Sequence, residues 1–124
     1  MPTTRTEYGK RLDQIHARIA ERLGKKPSVF YSAYKSESDD LPIDNLDDIA
    51  IDGSVQFHAS GDDYWGSGKP YTSRVVDSPT WLDVSVLANE MMNTTGDYHH
   101  QFLEAVRVIG EKDGTTLAKF SMGS

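Results

Sequence analysis

The amino-acid sequence predicts an α+β fold: a single domain spanning 1–124, with two amphipathic helices on an antiparallel sheet of about five strands, in the order α-β-β-β-α-β-β. Three observations predict it. Apolar residues recur at helical spacing in two separate segments. Short alternating runs, rich in aromatic and β-branched residues, lie between and after them, bounded by Gly, Pro and Asp. Two of those runs flank a C-terminal turn and read as a long hairpin. Helices segregated on an antiparallel sheet make the class α+β. A chain of 124 residues buries roughly two-thirds of its unfolded surface and can fold without metals or disulfides.

The first helix is expected from Thr4 to Leu23. Tyr8, Leu12, Ile15, Ile19 and Leu23 form one apolar stripe. Thr3 or Thr4 suits the N-cap, with Glu7 at capping-box spacing from Thr4. Gly24 supplies the stop and Pro27 closes the exit. Glu7 with Arg11, and Glu21 with Lys25, are i,i+4 pairs worth a few tenths of a kcal/mol, roughly, each.

Ser28 to Lys35 reads as a strand of alternating aromatic and small residues. Ser36 to Asp47 reads as an acidic loop. Two short runs follow, Asp48 to Ile51 and Ser54 to Ser60, divided by Asp52-Gly53. That dipeptide signals a hairpin turn, with a bulge in one longer strand as the alternative. Gly61 to Pro70 is a second loop and Tyr71 to Val76 a further strand. Ser78 is the expected cap of the second helix, with Pro79 at its first position. Trp81, Val84, Leu87, Ala88 and Met91 make its buried stripe, and Gly96 ends it. Tyr98 to Gly110 is apolar on both faces over much of its length, as in a central strand covered on both sides. Glu111-Lys112-Asp113-Gly114 turns the chain, and Thr115 to Met122 returns antiparallel.

Composition excludes some chemistry. There is no cysteine, hence no disulfide scaffold, thiol nucleophile or thiolate metal site. The first ten residues carry no apolar run of signal-peptide kind, and no window reaches the roughly 18 apolar residues of a membrane span. A cytoplasmic protein with no membrane partner is the expectation. The net charge of −6 conceals an asymmetry. Seven acids and no base lie between Glu37 and Asp52, whereas residues 1–36 hold eight basic residues against three acidic. The two regions can pair within the molecule, or they can present a charged face to a partner.

Nucleic-acid binding would use a basic stripe such as Arg11, Arg18, Arg22 and Lys25. The pI of about 5.0, the interleaved Glu7 and Glu21 and the lack of a reader motif make it a charged helix flank instead, so no nucleic acid is expected. The acidic segment has no EF-hand register. No histidine pair has zinc spacing on a helix, and His99 and His100, being adjacent, point to opposite faces of a strand. No metal and no cofactor are therefore expected. Gly-x-Ser-x-Gly is missing, and no phosphate loop is present, since Pro70 follows Gly68-Lys69.

The stretch from Gly61 to Tyr71 is the most unusual locally: Tyr64, Trp65 and Tyr71 stand among glycines and acids. Such aromatics either pack inward or offer a stacking surface. Two functional expectations follow. The first is a non-enzymatic binding or assembly module, acting by protein–protein contact or as a homodimer, with Tyr64, Trp65, Tyr71, His58 and His100 as candidate binding residues and edge strands as its means. The second is a small enzyme or ligand-binding domain with a pocket between helix and sheet. There His58 and His100, on neighbouring strands, would face one cavity with an acid, alongside Tyr64, Trp65, His99 and Glu104. In element order and acidic pI the chain resembles the chaperones of type III secretion, small acidic homodimers. No motif of that family is matched, so the resemblance implies no site residue.

Overall fold

The computed structural model describes residues 3–36, 41–59 and 69–123. Helix α1 (Thr3–Leu23) and helix α2 (Trp81–Thr95) account for both expected helices. The strands are β1 (Phe30–Tyr31), β2 (Lys35–Ser36), β3 (Pro42–Ile43), β4 (Ser54–Ala59), β5 (Tyr71–Thr72), β6 (Val76–Asp77), β7 (Phe102–Lys112) and β8 (Thr115–Gly123).

The α+β class holds, but the sheet is mixed, not antiparallel. Its order is β1-β7-β8-β4-β5, with β6 also on β4, and β2-β3 form a separate two-stranded ribbon. β1 runs parallel to β7, and β4 runs parallel to β8. The reason lies in the crossovers. A helix-length segment separates β4 from the C-terminal hairpin, and a parallel pair needs such a connection, whereas a tight turn could only give an antiparallel one.

Asp52-Gly53 is accordingly not a hairpin. Asp48 to Ile51 forms no strand, and Ile49 makes only a bridge to Thr80. Gly53 takes a positive φ of 84°, its N–H donates to Ser78 Oγ at 2.9 Å, and its carbonyl accepts from Ser78 N–H. The expected strand from Ser28 to Lys35 shrinks to β1 and the start of β2. Between them Asn45, 5% exposed, takes the polar groups: its Oδ1 accepts from Tyr31 OH at 2.6 Å and its Nδ2 donates to the Ala33 carbonyl at 2.9 Å.

The cap of α2 is Thr80, not Ser78, and Pro79 precedes it. Thr80 Oγ1 accepts from Asp83 N–H while the Asp83 carboxylate accepts from Thr80 N–H, a reciprocal capping box that Ser78 could not complete. Gly96 ends the helix in the left-handed conformation, as expected. Val84, Leu87, Ala88 and Met91 are buried and Trp81 packs against them. They meet Val55, Phe57 and Ala59 of β4 and Ala118 and Phe120 of β8 in the core. Phe57 and Phe120 stack with centroids 4.6 Å apart.

β7 departs most from expectation. Among the described residues it is flanked on both sides only at Phe102 and Leu103, which pair with β1 as well as with β8. From Glu104 onward it is an edge. Leu103 is buried, Phe102 and Val106 are half-buried, and the other residues of β7 are exposed. The strand, roughly 36 Å long, runs past what covers its start, since of β7 only Leu103 belongs to the buried cluster and only Val106 packs against it. The turn at its tip uses Asp113 and Gly114, both at positive φ (53° and 82°), the backbone a two-residue hairpin of type I′ demands.

Candidate functional site

Two surfaces stand out, a groove beside α1 and the projecting β7–β8 arm. The groove begins at His16. Its Nδ1 lies 2.8 Å from the Leu12 carbonyl and its Nε2 lies 2.8 Å from the Tyr31 backbone nitrogen. A carbonyl can only accept and an N–H can only donate, so Nδ1 carries the proton and the ring is neutral. Burial lowers the pKa of His16, against the opposing pull of the Leu12 carbonyl and Asp13. The imidazole thus caps the free edge of β1 with a side chain of α1.

Phe30 packs on the other side of that ring, centroids 4.3 Å apart, and Phe102 lies 4.9 Å from Phe30. Opposite this aromatic floor, α1 presents Ala17 and Ala20, small enough to leave a cleft of about 480 Å³. That is within the size range of ligand pockets. Asp13, Lys26 and Gln101 supply its polar rim. None of these residues belongs to a recognisable motif. The signal within the sequence was the i, i+3, i+4, i+7 series Asp13, His16, Ala17, Ala20, a second stripe beside the core one.

The arm is the second surface. Val108 is 59% exposed and Ile109 46%. Register shifts fall between Leu103 and Ala105 and between Val108 and Gly110, so Glu104 and Ile109 are bulged. Arg107 lies directly opposite Lys119 of β8. The side chains of Arg107 and Glu111 form no hydrogen bond or salt bridge among the described residues.

Part of the charge asymmetry resolves inside the molecule. Arg18 contacts Asp44 and Asp47, each at 2.7 Å, and Lys35 contacts Asp48 at 3.0 Å. The bonds to Asp47 and Asp44 raise the pKa of Arg18 further above its ordinary value. Arg11 pairs with Glu7 and Arg22 with Asp83. Burial alone would raise the Asp83 pKa, but the Thr80 N–H and Arg22 hold it below the usual carboxylate value. The expected Glu21–Lys25 pair does not form.

Of the candidate residues read from the sequence, His58 and Tyr71 lie on the paired strands β4 and β5, whereas His100 precedes β7. Tyr64 and Trp65 lie outside the described residues. Tyr71 turns inward, 7% exposed, against Phe120, and its hydroxyl donates to Glu90 at 3.1 Å. Burial, then Glu90, raises its pKa. His58 is on β4 with Nδ1 3.4 Å from Thr72 Oγ1, and its Nε2 is buried without a partner. His100 precedes β7 instead of lying in a strand, and β8 separates β7 from β4, so the two histidines are not on neighbouring strands. His100 Nδ1 is 2.8 Å from the buried Asp97, whose other oxygen accepts from His99 N–H at 2.9 Å. An acid–histidine pair therefore exists, but neither His58 nor His100 lines the groove. Among the described residues no group of three or more acids and histidines could hold a metal, and no helix is long and apolar enough to cross a membrane.

The chain matches no protein-family model, no curated protein and no solved structure. The surfaces themselves carry whatever can be said of function.

Proposed function

We propose that this chain is a non-enzymatic assembly module that self-associates through its projecting hairpin. One observation carries the reading: among the described residues β7 from Glu104 to Lys112 is an exposed edge, and Val108 and Ile109 stand on it exposed. A long edge of this kind is a template for another strand, and natural proteins that stay monomeric blunt it. The bulges at Glu104 and Ile109 limit indiscriminate pairing without removing the apolar side chains. Homodimerisation is the simplest closed use of such an edge.

Light scattering at low and high salt tests this. The expected result is a mass twice 13.8 kDa that persists at high salt, because the contact is largely apolar, and that falls to the monomer in Val108→Lys. A monomer at every concentration and salt would refute the reading.

A further inference from the structure

We propose that His16 is a proton-operated clasp: at neutral pH its ring closes α1 over the outer edge of β1, and on protonation it releases the Tyr31 N–H and leaves that edge open. The clasp stands apart from the arm and does not rest on self-association. β1 is the terminal strand of its sheet. Toward β7 the Phe30 and Ser32 N–H groups donate to the Gln101 and Leu103 carbonyls, at 2.7 and 2.9 Å. The Tyr31 N–H between them donates to His16 Nε2 instead, at 2.8 Å. A side chain of α1 thus covers this edge as a further strand would.

The ring is held in one tautomer from both ends. Nδ1 carries a proton for the Leu12 carbonyl, and Nε2 keeps its lone pair for Tyr31. A second proton can go only to Nε2. It would set two donors face to face at a separation that only a donor and an acceptor hold. Protonation and the closed edge therefore exclude one another.

The ring has room to turn. The groove of about 480 Å³ opens beside it. The charged residues of that groove are Asp13 on α1 and Lys26 beyond the helix end, whereas β1 and β7 line it with Phe30 and Phe102. Asp13 is exposed and its side chain makes no hydrogen bond or salt bridge among the described residues. It lies three residues back on the same helix face, within reach of an imidazolium. Burial outweighs the pull of Asp13 and lowers the pKa of the ring from 6.5. The clasp accordingly opens as pH falls below that value, and stays closed above it.

Hydrogen exchange followed by NMR tests this in the native chain. Between about pH 7.5 and about pH 4.5, with rates corrected for their intrinsic pH dependence, protection of the Tyr31 amide should fall about tenfold or more. The fall should share its midpoint with the titration of the His16 ring. The Phe30 and Ser32 amides, bonded toward β7, are the internal control and should change by less than about threefold. His16→Phe keeps a ring beside Phe30 but offers no acceptor, so its Tyr31 amide should be poorly protected at both ends of the range. If that variant does not fold, the native titration decides alone. A Tyr31 amide that stays protected while His16 titrates overturns the clasp. So does loss of all three amides together, which would show β1 leaving as a unit. A His16 ring that takes up no proton before the chain unfolds overturns it as well.

Discussion

The foot of α1 and the β7–β8 arm are built from similar materials and use them in opposite ways. Near α1, Arg18 holds Asp44 and Asp47, and both nitrogens of His16 are bonded. On the arm, the side chains of Arg107 and Glu111 make no hydrogen bond or salt bridge among the described residues, and valine and isoleucine are exposed. One region has satisfied its chemistry within the chain and contributes to stability. The other has chemistry left over, which is the usual mark of a surface that meets something else.

Alanine substitutions should break this contrast most plainly. Ile19→Ala, at a side chain with no exposure, should cost about 2–5 kcal/mol in urea unfolding. Val108→Ala should stay within about 0.5 kcal/mol for the folded monomer while weakening the dimer. An equally large loss of monomer stability at Val108 would show that the arm is part of the core.

His16 comes next. His16→Ala leaves the buried Tyr31 N–H without its acceptor and should cost about 1–3 kcal/mol at neutral pH. The folded-state pKa of His16 is depressed below its ordinary 6.5, so the unfolded chain takes up this proton first. Its contribution is full above the unfolded pKa and is lost as pH falls through the folded one. The stability gap between native chain and variant should therefore narrow on acidification below about pH 6.5. A gap independent of pH would mean that the imidazole is not held neutral.

Arg18→Ala is the smallest effect. Its side chain is 36% exposed, so even two carboxylate contacts should add no more than about 1 kcal/mol, shrinking with salt.

The helices and the hairpin were legible because their signals are local. The α1 stripe, the α2 stripe and the return at Thr115 needed only spacing. The sheet's mixed character was not, since nothing near Val55 announces that its partner is Thr116. Asp52-Gly53 misled because a glycine that allows positive φ serves any tight reversal, not only a hairpin. β7 misled because apolar character on both faces describes a covered strand and an uncovered one equally well. The groove was hidden because alanines matter there for the space they leave. The pairing of Arg18 with the acidic segment, by contrast, was foreshadowed by charge alone.

The parallel pairing of β4 with β8 has a consequence in time. Val55 must wait for Thr116, and Phe57 for Ala118, before the sheet joins across its middle. Contacts so distant in sequence carry the loop-closure cost early and return stabilisation late, which slows folding. A nascent chain synthesised as far as Gly114 would hold both helices and β4, yet leave Phe57 without Phe120 and β7 without a partner along most of its length. Until the last strand of the hairpin emerges, the apolar edge of β7 is at its most hazardous, open to any other unfinished chain.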